Sequence, residues 1–202
     1  WSSDVCSSDL VNMAFMFNKC LSLKNLYLSN FNTKNVINME SMFKDCISLI
    51  NLDLSSFKSS SVTDVNSMFE RCITIESINI ENFDISNAID ISKMFKKCSS
   101  IISLKLSKFY TSKVENMEEL FYECSSLTSI DLYSFYTNQV TNMKFMFYKC
   151  SKISSLNLNN FNTINVIDMS HMFDQCVSLI SINLLTFDTP KVNYMDYMFS
   201  SC

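Results

Sequence analysis

Eight cysteines stand at one fixed interval: Cys20, Cys46, Cys72, Cys98, Cys124, Cys150, Cys176 and Cys202 are each 26 residues apart, with no insertion anywhere. A chain held to one period must place equivalent residues in equivalent surroundings, and periods of about 20–50 residues belong to stacked repeats. Seven full repeats occupy residues 21–202, and the last ten residues of another, 11–20, precede them. Written in columns, the repeat is x-x-L-x-x-L-x-L-x-x-F-x-T-x-x-V-x-N-M-x-x-M-F-x-x-C. Column 11 is Phe in every full repeat, from Phe31 to Phe187, and column 23 is Phe from Phe17 to Phe199. All 13 methionines fall in columns 19 and 22. Residue types confined so tightly are packing positions.

Each segment of the repeat has its own rhythm. Leu49, Leu52 and Leu54 in columns 3, 6 and 8 end in a period-two alternation, which predicts a short half-buried strand. Val62, Val65, Met68, Phe69 and Cys72 in columns 16, 19, 22, 23 and 26 recur at three- and four-residue steps, which predicts one face of a short helix or 3-10 turn. Thr in column 13 and Asn or Asp in column 18 supply oxygens for exposed backbone N–H groups. One repeat buries about nine apolar side chains at roughly 1.5–3 kcal/mol each, whereas ordering each backbone residue costs about 1–2 kcal/mol. A lone repeat therefore cannot fold, and the expected architecture is an α/β solenoid. It has a parallel sheet of short strands on one face and short helices or 3-10 turns on the other, extending roughly 35–40 Å at the usual strand spacing.

The fuller phrase V-x-N-M-x-x-M-F-x-x-C-x-S-L, best seen in VTNMKFMFYKCSKISSLNL at 140–158, resembles the repeat of BspA-type leucine-rich repeat surface proteins. The resemblance covers residues 11–202. It implies a leucine-rich-repeat-type solenoid displayed on a cell surface or secreted, with adhesion as its role. Members of that family commonly carry Gly just before the cysteine. Here the slot holds Lys19, Asp45, Arg71, Lys97, Glu123, Lys149, Gln175 and Ser201, and the chain contains no glycine at all.

The ends of the chain stand apart from the pattern. Residues 1–10, WSSDVCSSDL, include the single Trp and Cys6, and they back-translate to codons resembling the end of a short-read sequencing adapter. They are expected to be foreign to the native protein. The pattern stops at the last column of a repeat without a polar cap, so the fragment is expected to be truncated at both ends and prone to end-to-end association.

The cysteines admit three readings. No C-x-x-C pair and a single histidine argue against a metal site. Stacking puts neighbouring Cα atoms within reach of a disulfide, but parallel side chains hold their Cβ atoms too far apart. Free cysteine as a small buried hydrophobe at the corner between the two rhythms fits best. On that reading Cys98→Ser is expected to cost roughly 1–3 kcal/mol, because it buries a hydroxyl without a partner.

Catalysis has no visible machinery. His171 has no partner fixed near it in sequence, and the absence of glycine excludes both the G-x-S-x-G elbow and phosphate-cradling loops. No cofactor or metal is expected. A net charge of −4 leaves no footprint for nucleic acid, and no apolar run approaches the ~20 residues that span a bilayer. No N-x-[ST] acceptor occurs.

The outward columns carry what remains. Column 7 is a polar strip containing Asp53, Lys105 and Asp131. Stacking sets Tyr110 beside Tyr136, Tyr122 beside Tyr148, and Phe145, His171 and Tyr197 in a row, and exposed aromatic clusters mark interaction sites. The expected function is a non-enzymatic recognition or adhesion module for a protein or glycan ligand. The alternative is an intracellular scaffold for protein–protein interaction.

Overall fold

A computed structural model describes residues 9–202, so eight of the ten residues that break the pattern, Cys6 among them, lie outside the described residues. The chain winds as a right-through stack of 26-residue coils. Short strands recur in columns 5–7: β1 (Asn51–Asp53), β2 (Ser77–Asn79), β3 (Ser103–Leu104), β4 (Ser129–Ile130), β5 (Ser155–Leu156) and β6 (Ser181–Ile182). They pair in parallel as β1–β2, β3–β4 and β5–β6, with Asn51 opposite Ser77, one period apart. Column 6 points inward and columns 5 and 7 outward, as the alternation requires.

The opposite arc differs from the expectation. Columns 16, 19, 22, 23 and 26 do face the core, and Val62, Val65, Met68, Phe69 and Cys72 are fully buried. Yet neither an α-helix nor a 3-10 helix occurs among the described residues. The arc is a run of successive turns. Every residue in columns 21 and 25 has a left-handed backbone, with φ between 52° and 62°, from Phe15 and Lys19 to Tyr197 and Ser201. In columns 22, 24 and 26 the N–H bonds back to the carbonyl three residues earlier, as Cys98 does to Phe95 at 3.1 Å. In the turns that close at columns 22 and 26 the left-handed residue stands third, the place where type II geometry requires a positive φ. The three- and four-residue steps that suggested a helix are the steps of these turns.

A helix also fails for a second reason: alternate N–H groups leave the coil. Those of columns 21, 23 and 25 donate to carbonyls of columns 20, 22 and 24 in the next coil at 2.7–3.0 Å; Lys93, Phe95 and Lys97 reach Glu118, Leu120 and Tyr122. Parallel bridges in column 18 run unbroken from Asn12 through Asn38, Asp64, Asp90, Asn116 and Asn142 to Asp168 and Tyr194. The backbone ladder that joins all eight coils is thus on the turn arc, whereas the strand face is paired two by two.

Polar columns close the remaining accounts. In column 18, Asn38 accepts the N–H of Glu40 at 2.8 Å and Asp90 that of Ser92 at 2.7 Å, each an Asx turn. In column 13, buried Thr137 accepts the N–H of Asn162 at 2.7 Å and donates to the same residue's carbonyl at 2.8 Å. Inside, the column 23 phenylalanines form one continuous stack with centroids 5.3–5.7 Å apart, which the column 11 rings touch at Phe95–Phe109 and Phe121–Phe135.

The cysteine column is more than corner packing. Each S–H from Cys46 to Cys202 donates to the carbonyl of the column 23 Phe in the preceding coil, Cys98 to Phe69 at 3.2 Å and Cys124 to Phe95 at 3.1 Å. That carbonyl already accepts the N–H of its own coil's cysteine, so both of its lone pairs are filled across a junction. Burial pushes the Cys98 thiol well above its ordinary pKa and that of Cys124 up to about 12, so both stay protonated donors. All eight described cysteines are free thiols. The reason given for a costly Cys98→Ser change is therefore overturned, because a hydroxyl there has a partner waiting.

Two predictions follow from this geometry. At Lys97, φ is 61°; Lys97→Gly should match or exceed the wild-type stability, and Lys97→Val should lose about 2 kcal/mol in a urea titration. A helix would give the reverse order, with Gly the worse by about 1 kcal/mol. At the cysteine, Cys98→Ser should stay within about 1 kcal/mol of wild type, while Cys98→Ala, which removes both donor and sulfur, should lose about 1–3 kcal/mol. Packing alone would favour Ala over Ser.

Candidate functional site

Columns 20, 21, 24 and 25 project from the turn arc, and their contents change along the stack. The third repeat presents Lys93, Lys96 and Lys97, the fourth Glu118, Glu119 and Glu123, and the fifth Lys144 and Lys149. Adjacent bands pair: Lys96 meets Glu119 at 2.6 Å, while Glu123 lies between Lys97 at 3.6 Å and Lys149 at 3.8 Å. Aromatic side chains enter the same columns at Phe15 in the partial first repeat and again from the fourth repeat onward.

Five of the expected aromatic residues form one cluster there. Tyr122 and Tyr148 in column 24 stack at 4.7 Å with an interplanar angle of 26°. In column 21, Phe145 stacks on His171 at 4.4 Å and His171 on Tyr197 at 4.9 Å. Phe145 joins the two rows edge-on, 5.9 Å from Tyr122 and 5.3 Å from Tyr148. Lysines cover the outer faces, Lys96 at 4.9 Å from the Tyr122 centroid and Lys149 at 5.2 Å from Tyr148. Burial, then the nearby Glu123 and Tyr148, push the Tyr122 phenol up to about 12, so it remains neutral and a donor.

His171 has a partner that sequence reading missed. Its Nδ1 lies 2.8 Å from Oδ2 of Asp174, a residue only 5% exposed. The signal was present as H-x-x-D, since turns bring residues three apart together as readily as helices do. The pair orients the imidazole within the ring stack. The neighbouring Ser170 hydroxyl is committed to another partner, donating to Asp168 at 2.5 Å. An open groove of about 410 Å³ runs beside the stack, lined by Lys144, Phe145, Asp168, Ser170, His171 and Tyr194. Among the described residues no group of three or more His, Cys, Asp or Glu side chains is placed to hold a metal ion.

The other expected residues are not part of this cluster. Tyr110 and Tyr136, in column 12, are 48% and 41% exposed, and no ring contact joins them among the described residues. On the strand face, Asp53 and Asp131 each have one carboxylate oxygen committed to their own turn, accepting the N–H of Ser55 at 2.9 Å and of Tyr133 at 3.0 Å. The Ser55 N–H is the main reason the Asp53 carboxyl sits below its usual range. Lys105 shares an open groove of about 690 Å³ with Asp53, Tyr27 and Glu76. This strip is thus partly structural.

Residues 5–104 and 90–202 match the family described as "Mycoplasma protein of unknown function, DUF285". The chain belongs to that family. No curated protein matches it. Among solved structures it is similar to a leucine-rich repeat protein from Eubacterium ventriosum, with a TM-score of 0.54 at 16% identity over 88% of this chain and 41% of that one. It also aligns with a leucine-rich repeat protein from Bacteroides ovatus (TM-score 0.40, 17% identity, 94% of this chain and 55% of that one). An internalin from Listeria monocytogenes aligns as well (TM-score 0.41, 15% identity, 80% and 44%). The Eubacterium protein shares the fold, and this DUF285 chain is a leucine-rich-repeat solenoid. It spans about two fifths of that protein's length. Nothing in these descriptions points to catalysis, and no helix among the described residues is long and apolar enough to cross a membrane.

Proposed function

We propose that the chain is a non-enzymatic recognition module, displayed on a cell surface or secreted. On this reading it takes a protein or glycan ligand on the aromatic part of its turn arc. The observation that carries this is an internal control. Column 21 holds Ser41, Ser67, Lys93 and Glu119 with the same left-handed backbone as Phe145, His171 and Tyr197, and with the same inter-coil hydrogen bond as Phe145 and His171. The fold therefore does not require aromatic rings at those positions. Their clustering in successive coils, beside a groove with lysine and carboxylate groups, is the composition of a binding surface. The BspA-type repeat phrase supports the surface location. The intracellular scaffold is the second reading, favoured by eight free thiols, of which the seven from Cys46 to Cys202 are already used as hydrogen-bond donors and need no oxidising compartment.

The test uses serine, which column 21 already accommodates. The wild-type chain and a Phe145→Ser/His171→Ser variant are applied to a glycan array and to immobilised host-cell surface proteins. The reading expects wild-type binding that drops at least about tenfold in the variant, the loss of a central aromatic anchor, with the unfolding transition still cooperative. Equal binding by both chains would remove the aromatic cluster from the site.

A further inference from the structure

The stacked pair Tyr122–Tyr148 has a chemical capacity independent of what the face binds. The backbone ladder holds consecutive coils in register, so the two phenol rings lie face to face with centroids 4.7 Å apart and only 26° between their planes. Both are half-buried, with edges that reach solvent. Gln175 Nε2 donates to the Tyr148 oxygen at 3.1 Å and fixes that ring from the following coil. Glu123 places a carboxylate against the Tyr122 phenol. Phe145 closes the cluster edge-on.

We propose that Tyr122 and Tyr148 form an oxidative cross-linking site, in which a dityrosine bond staples the fourth full repeat to the fifth. The co-reactant is hydrogen peroxide acting through a one-electron oxidant of the haem-peroxidase class. Each phenol gives up one electron and one proton, with the Glu123 carboxylate as the nearest acceptor for the Tyr122 proton. The two phenoxyl radicals join through ring carbons ortho to oxygen. The hydrogen on each joined carbon then leaves, and each oxygen regains one, restoring both aromatic phenols. The peroxide takes up two electrons and two protons and leaves as two waters. The bond forms without moving the coils, because the rings are already at stacking distance, and near-attack placement is what raises the rate of such a coupling over random encounter.

The chain carries its own control. Tyr110 and Tyr136 are also 26 residues apart in adjacent coils and are more exposed, yet their rings are not in contact. Accessibility would favour that pair, and geometry favours Tyr122–Tyr148. The dilute full chain is treated with a haem peroxidase and hydrogen peroxide, the monomer fraction is isolated, and dityrosine is read by its fluorescence and by mass spectrometry of digested peptides. A cross-linked peptide joining Tyr122 to Tyr148, lighter by two hydrogens, is expected in at least about tenfold excess over any Tyr110–Tyr136 link, as proximity dictates. Tyr148→Phe, which keeps the ring stack, should abolish it. An equal or greater Tyr110–Tyr136 yield would overturn the proposal. So would links found mainly between chains, or no intramolecular dityrosine under conditions in which free tyrosine couples.

Discussion

Alternate backbone N–H groups of the turn arc bond across to the next coil at 2.7–3.0 Å, in columns 21, 23 and 25 of every junction. That ladder sets the coil spacing, and almost every other regularity is a consequence of it. Side chains one period apart must stack at strand spacing, so each inward column stays apolar and the ring columns keep one shape throughout, while Val62 and Ala88 or Met39, Val65 and Ile91 exchange within a column. This is why the phenylalanines of column 23 form a single file and why no repeat tolerates an insertion. It is also why the polar residues work between neighbours. Thr137 clamps the next coil's Asn162, and Cys98 donates back to Phe69.

The ladder has a cost, which falls on columns 21 and 25. To send alternate N–H groups outward the chain must turn left-handed twice per coil, at about 1–2 kcal/mol for each residue with a Cβ. Glycine would relieve this, and the chain has none. Column 25 instead carries Lys, Asp, Arg, Glu, Gln or Ser, all on left-handed backbone. Because those positions now carry side chains, they become a decorated outer face. The Lys97–Glu123–Lys149 ion pairs are built on column 25, the Phe145–His171–Tyr197 row on the equally left-handed column 21, and the Tyr122–Tyr148 pair on column 24 between them.

How much of this was legible in the sequence depended on how each feature is encoded. Column identity reports burial directly, so the core, the 26-residue register and the outward Asp53 and Lys105 could be read without a structure. The juxtaposition of Tyr122 with Tyr148, and of Phe145 with His171 and Tyr197, also followed, because a strict period converts sequence distance into stacking. Turn and helix share the same three- and four-residue steps, so Val62, Val65, Met68, Phe69 and Cys72 could not separate them. Left-handed backbone is normally announced by glycine; without it, Lys97 and its equivalents gave no sign. The Cys98 bond to Phe69 and the His171–Asp174 pair depend on orientation within the turn, which composition does not record. Tyr110 and Tyr136 show the limit of the stacking argument, since sharing a column does not bring exposed rings into contact.

The measurement that bears most directly on this account is residue-resolved amide hydrogen exchange on the intact chain. If the turn arc carries the ladder that joins the coils, the amides of columns 21, 23 and 25 in the central repeats, such as Lys93, Phe95 and Lys97, will be the slowest to exchange. The strand-face amides of columns 5–7 will open sooner, pair by pair. Slowest exchange along the strands, with columns 21–25 exchanging as freely as surface loops, would contradict it.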